Sequence, residues 1–306
     1  MIRSSTTDTY NLLKGNFVDI QSEYRKRQIQ ASTGMEYMDR SENIADATEA
    51  ARVSREREDT IQFQENIIDA KAQVMTTDNR LQDLVELMQK ASELVTSAGN
   101  GTHPPEHRMD VAQELNGVID QIFQISETRF GDSYLFGGTM SGSAPFTATR
   151  NANGEITAIT ANADADTGLR KTQINENTVI DIGELAGGTD GVFQASGGVD
   201  VIANLIAIRD ELALGNQPSQ ANADQLSTNM DHVIGHLTTN AVKQQWLESQ
   251  ERRLRDVELT QNQQLEDLQS ADLAAVMTEL AQLQTTYQAT MQMIRQTNTL
   301  SIINYI

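Results

Sequence analysis

Cysteine is absent from all 306 residues, which excludes disulfides, thiolate nucleophiles and cysteine-ligated metal centres. Long apolar runs are absent too. No stretch approaches the roughly 18 residues of a membrane span, and Met1 to Gly15 contains no apolar signal-peptide core. Membrane insertion and Sec-type export are therefore not expected. Aromatic residues make up only 5%, a level that suits helical bundles built from Leu, Ile, Val, Met and Ala. Positive charge is scarce beside negative: 23 Lys and Arg face 43 Asp and Glu, for a formal net charge of -20. Phosphate binding needs concentrated cations, so nucleic acid is excluded as a partner. The local clusters Arg25-Lys26-Arg27 and Arg52/Arg55/Arg57 are interspersed with Glu23, Glu49, Glu56 and Glu58, the pattern of a solvated or subunit-facing helix surface.

What the chain does have is an apolar seam at each end. Tyr10, Leu13, Phe17, Ile20, Tyr24 and Ala31 follow a 3-4 rhythm interrupted by Arg27. Leu273, Met277, Leu280, Tyr287, Met291 and Ile294 do the same near the C-terminus, with Gln284 as the interruption and Asn298 and Ser301 in continuation. This spacing puts one apolar stripe on each helix, and a lone two-faced helix has nowhere dry to put it. These residues are the candidate subunit and assembly interface, with polar Gln284 and Asn298 able to fix its register.

Between the ends, helical pattern runs from about Ile44 to Ser97, with Ile67, Val74, Leu81, Met88 and Val95 repeating every seventh residue. Leu84, Val85 and Ala91 widen the stripe, as in a coiled-coil-like rod. Gly99-Asn100-Gly101 ends this helix, and Pro104-Pro105 can start the next, since the first helical turn does not need the missing N–H. Glu106 to Phe130 then aligns Val111, Leu115, Val118, Ile122 and Ile125 on one face, predicting an antiparallel helical hairpin. Residues 141–198 change character and are rich in Gly, Thr, Asn and Ala. Asn153-Gly154 signals a β-turn between Phe146–Arg150 and Glu155–Thr160, and Ile174 and Thr178–Ile182 read as further short strands. This segment offers few apolar anchors and reads as a peripheral insert. Helical pattern returns near Gly198 with Val201, Leu205, Ile208 and Leu212, and after a break at Gly215–Pro218 it is expected to run to the C-terminus.

The expected fold is mainly α: a long antiparallel coiled-coil-like helical bundle formed by both chain ends, with a small β-rich insert in the middle. Residues 1–40 with 270–306 form a discontinuous terminal assembly domain, residues 41–140 with 199–269 a discontinuous helical rod domain, and residues 141–198 an outer insert.

Candidate chemical sites are weak. His232 and His236 have the four-residue spacing of metal ligands on a helix, but no Glu follows His232 and no third ligand is evident. They read as ordinary surface or interface histidines. His103 and His107 flank a turn and rate no higher. Gly187-Gly188-Thr189-Asp190-Gly191 lacks the lysine of a phosphate loop and the array of a calcium repeat, and reads as a flexible connector. Tyr134-Leu135-Phe136 reads as packing that seats the insert on its parent bundle. No catalytic, metal or cofactor site is expected, and the chain is not read as an enzyme.

Several segments carry a specific resemblance. Gln30-Ala31-Ser32-Thr33-Gly34 resembles the turn after the first helix of flagellin-type axial proteins. Arg129 to Thr139, read with Pro145-Phe146, resembles a Tyr-Leu-Phe-Gly-Gly segment of the flagellar hook-filament junction proteins, the hook-associated protein 3 family. Ala271-Asp272-Leu273-Ala274, Glu279-Leu280 and the ending Leu300 to Ile306 are similar to that family as well. The resemblance covers residues 1 to about 140 and 255–306. It implies a structural subunit of the extracellular bacterial flagellum, joining hook to filament through an adjacent junction protein. It further implies type III export in the unfolded state without a cleaved signal. The implied partners are neighbouring copies in a ring, that junction protein, flagellin and an export chaperone. A short flagellin filament subunit is the alternative, followed by an intracellular coiled-coil adaptor.

Overall fold

The computed structural model describes residues 2–36, 44–101, 103–139, 142–162 and 168–303; the side chains of residues 2–10 and 297–303 lie outside the description. Tyr10, Asn298, Ser301 and the Tyr305-Ile306 ending therefore have no described side-chain environment. The elements run α1 (Ile2–Thr33), α2 (Ile44–Ala98), α3 (Pro105–Ser126), β1 (Arg129–Phe130), β2 (Ser133–Tyr134), β3 (Phe146–Arg150) and β4 (Ile156–Ala161). There follow β5 (Lys171–Asn175), β6 (Thr178–Asp181), β7 (Gln194–Ala195), β8 (Val199–Asp200), α4 (Val201–Ala213), α5 (Gln220–Gln269) and α6 (Leu273–Ile303). The protein is mainly α, and the strands form four separate two-stranded antiparallel pairs in the middle of the chain. Two compact units emerge: Met1–Asp59 with Val257–Ile306, and Thr60–Asp256.

In the Thr60–Asp256 unit the seven-residue repeat of α2 is a core stripe. Ile67, Val74, Leu81, Met88 and Val95 are all buried, with Leu84 and Ala91 beside them. The apolar faces of α3 and α4 join the C-terminal half of this stripe, together with Leu226 and Val233 of α5. Further toward Thr60, Ile67, Ala70 and Val74 meet Leu247 of α5. Arg108 is buried and joins helix ends, its Nε donating to the Ala98 carbonyl at 3.3 Å and its Nη1 to that of Gly215 at 3.0 Å. It thereby satisfies terminal carbonyls that lack an intrahelical partner.

Helix α3 is shorter than its periodicity predicts, ending at Ser126 rather than near Phe130. The Ser126 hydroxyl bonds back to the Phe123 carbonyl at 2.6 Å, and Arg129–Phe130 pairs with Ser133–Tyr134 instead. The C-terminal helix is likewise interrupted, at Ser270–Asp272. Hairpin β3–β4 follows the expected strands and turn, with Gly154 at φ 84° and the Asn151 side chain accepting from the N–H groups of Asn153 and Glu155.

The insert is not the weakly anchored segment its composition suggests. Phe146, Ile156, Ala186, Val192 and Phe193 share the main core with the helices, and Ile174 and Ile182 share the second. Phe193 packs edge-on against Phe136 at 5.3 Å and Phe146 at 6.1 Å between ring centroids. A few large side chains, widely spaced in a Gly-rich run, anchor what a composition average treats as uniformly weak. Leu135 and Phe136 are buried at the same place, in the seating role read from sequence. The Gly187–Gly191 segment is packed rather than free. A Cβ on Gly191 would lie 2.4 Å from the Gly187 Cα, so only glycine fits there.

Candidate functional site

The unit built from both chain ends pairs α1 with α6 and also holds the start of α2 and the end of α5. Its turn regions explain the motifs. Gly34, at φ 71°, ends α1 in the left-handed conformation that glycine adopts without a Cβ penalty, and its N–H donates to the Gln30 carbonyl at 2.8 Å. Gln30 is buried; its Oε1 accepts from Arg27 at 2.8 Å, and its amide donates to the Glu36 carbonyl. Across the pair, the Glu36 N–H donates to the Gln269 carbonyl at 2.8 Å and the Ala271 N–H to that of Gly34 at 2.9 Å. Asp272 then caps α6, accepting from Ala274 N and Ala275 N at 2.9 and 3.1 Å. The two motifs thus form one joint, in which the end of α1 is bonded to the α5–α6 break.

From this joint the two helices share a seam. On α1, Leu13, Phe17, Ile20 and Tyr24 are half-buried on one face, as their spacing predicts. Arg27, the interruption, is also half-buried and pairs with Glu279 at 2.8 Å. On α6 the inward stripe is Val276, Leu280, Leu283, Tyr287, Thr290 and Ile294, with Met291 half-buried beside it. This corrects the predicted register. Leu273 and Met277 are 50% and 57% exposed, and Gln284 is exposed, with Leu283 taking the inward place assigned to it. The 3-4 rhythm admits two adjacent phases on α6, and pairing within the chain uses the one containing Leu283. Leu273, Met277 and Met291 form the flank of that stripe. Sequence reasoning missed Val276, Leu283 and Thr290, although Val276 sits four residues before Leu280, Thr290 three after Tyr287, and Leu283 at 3-4 spacing from both.

A contrast in burial marks this seam as unfinished. On the inward stripe of α6 only Val276 and Thr290 are buried among the described residues, whereas the core of the Thr60–Asp256 unit holds many side chains with no exposure at all. Two helices alone cannot exclude water from both sides of a shared stripe.

The histidines land in the other unit. His236 is buried rather than superficial, and His232 is half-buried one turn away. The His236 Nδ1 lies 2.8 Å from the Glu184 Oε2, and its Nε2 lies 3.2 Å from the His232 Nε2. Lys243 donates to the Glu184 Oε1 at 2.6 Å. Burial pushes the Glu184 carboxyl up, but His236 and Lys243 together outweigh that cost and hold it below the usual carboxylate range.

Residues 5–141 match the family model described as the bacterial flagellin N-terminal helical region. The flagellar hook-associated protein 3 of Salmonella typhimurium is 27% identical over 54% of this chain and 52% of its own length. The chain therefore spans about half the length of that relative. The protein of the same name from Escherichia coli is 24% identical over 94% of both chains. In fold, the chain is similar to a putative flagellar hook-associated protein from Vibrio parahaemolyticus, with a TM-score of 0.64, 19% identity, and coverage of 75% of this chain and 100% of that one. The likeness to the hook-associated protein 3 family read from the motifs is borne out.

Proposed function

We propose that this chain is a structural subunit of the bacterial flagellum, placed at the joint between hook and filament, and that it carries no enzymatic activity. The observation that carries the reading is the half-buried α1–α6 seam, beside a match to the flagellin N-terminal helical region over residues 5–141. An apolar stripe left part-wet in the single chain gains its missing burial when copies associate. The names of its relatives direct that association to the hook end of the flagellum rather than to the filament itself.

On this reading Leu13, Phe17, Ile20, Tyr24, Leu280, Tyr287 and Ile294 hold the helix pair together. Leu273, Met277 and Met291 face the next subunit, and Tyr10 extends the α1 contact. The partners are other copies in a ring, an adjacent junction protein, flagellin, and before assembly an export chaperone that covers the same apolar stripe. The site of action is the extracellular flagellum, reached through its type III apparatus.

A deletion strain examined by electron microscopy tests this. Retained hooks, missing filaments and monomeric flagellin shed into the medium are expected, with filaments restored by the full chain. Normal filaments in the deletion strain would overturn the reading.

A further inference from the structure

We infer that His232, His236 and Asp190 form a binding site for a divalent late transition-metal ion of the zinc class, independent of the flagellar role. Three features carry the assignment. The ligand atoms converge: one from each of the three residues lies within 4.8 Å of the other two, with the His236 Nε2 3.2 Å from the His232 Nε2 and 3.7 Å from the Asp190 Oδ1. Ligands bound at about 2.0–2.1 Å around a tetrahedral ion stand roughly 3.3 Å apart. The two imidazoles are already near that separation. Asp190 needs only a small swing, and its side chain, 84% exposed, is free to make it.

The second feature is orientation. A carboxylate is an acceptor, so the His236 Nδ1 carries its proton toward Glu184, which leaves the Nε2 lone pair directed at His232 and Asp190. A carboxylate fixing the outer nitrogen of a ligating histidine is the recurrent support of metal-bound imidazoles. Lys243 holds the second Glu184 oxygen at 2.6 Å, so this support is itself anchored. The third feature is scaffold and access. Both histidines stand on consecutive turns of α5, Asp190 is fixed by the packed Gly187–Gly191 turn, and a cavity of about 490 Å³ opens onto all three.

In the metal-free protein the His232 Nε2 lies 2.9 Å from the Gly191 carbonyl as well as 3.2 Å from the His236 Nε2, so a proton on it satisfies the pair. Metal binding moves that proton to Nδ1 or to solvent and replaces the hydrogen bond with a bond to the ion. Two imidazoles and one carboxylate favour zinc, nickel or copper over calcium or magnesium, which take oxygen donors. The bound ion would fasten the Gly187–Gly191 turn to α5.

The test uses the untagged full chain, stripped with chelator and titrated with Zn²⁺ by calorimetry and with Co²⁺ by visible absorption. The expected result is one ion per chain, a rise in Tm with Zn²⁺, and Co²⁺ bands of low-coordinate geometry. Asp190→Asn and His232→Ala alter exposed or half-buried groups, and folding is checked by circular dichroism. Each should weaken Zn²⁺ binding by about tenfold or more. A wild-type chain that binds no stoichiometric Zn²⁺, or variants that bind it as tightly as wild type, would overturn the assignment.

Discussion

Phe17 of α1 and Tyr287 of α6 meet with ring centroids 5.1 Å apart, and Tyr24 lies 6.2 Å from the same tyrosine ring. One residue of α6 therefore holds two of α1, so the two end helices pack as a pair. All three are half-buried, so part of each ring still faces solvent.

Replacing Tyr287 by Asp should abolish filament attachment while leaving the Thr60–Asp256 unit folded. The carboxylate would sit against Phe17 and Tyr24, and closing the interface around it costs several kcal/mol, on the order of the penalty for burying an unpaired charge. Motility and electron microscopy read the loss, and circular dichroism reads the retained fold. Filaments of normal length and strength in this variant would mean the seam is not the joint.

Phe193→Ala should destabilise the Thr60–Asp256 unit by about 3–5 kcal/mol, the cost of a large cavity in a rigid core. Phe193 has no exposure and touches both Phe136 and Phe146. For the same reason, deleting residues 150–190 should unfold the unit rather than trim its surface, because Ile156, Ile174, Ile182 and Ala186 leave two cores at once. Thermal unfolding of both variants decides it.

Regular periodicity made most of the helical fold legible. The Ile67-to-Val95 repeat and the Val111-to-Ile125 face are buried where their spacing puts them. Two kinds of feature were hidden. On α6 both Leu283 and Gln284 satisfy a 3-4 rhythm, and only the neighbouring helix decides which turns inward. Asp190 stands 42 residues before His232 in a Gly-rich run, and nothing local marks it as a partner. Buried polar residues on α5 escaped for a related reason. Asn229, His236 and Asn240 alternate with Val233 at helical spacing, where a hydrophobic pattern records only gaps.

Asp200 caps α4, its carboxylate accepting from Ala203 N at 2.8 Å and from Gln194 at 2.9 Å. Burial pushes its carboxyl above the usual value of 3.8 despite those two bonds. The folded state then holds more protons than the unfolded one between 3.8 and the raised value, so stability falls as pH rises through that window. Asp200→Asn keeps a capping oxygen and removes the titration. It should stay within about 0.5 kcal/mol of wild type at neutral pH, while Asp200→Ala should lose about 1 kcal/mol. Denaturant unfolding at pH 7 and in mild acid separates the two.

Glu251 on α5 reaches Lys71 on α2 at 2.6 Å and Arg255 at 2.7 Å. The Lys71 hydrogen bond, aided by the charges of Lys71 and Arg255, holds its carboxyl below the ordinary value of 4.5 against the opposing effect of burial. The unfolded chain therefore takes up the proton first, so the pair's contribution is complete above pH 4.5 and disappears as pH falls through the lowered folded value. Both side chains keep some contact with water, 31% for Lys71 and 16% for Glu251, so the contribution is under about 1 kcal/mol. Glu251→Gln should be less stable than wild type by that amount at pH 7 and in low salt, and should converge with it in acid. A difference that persists unchanged once the folded protein is fully protonated in strong acid would show that the glutamate acts by packing and not by charge.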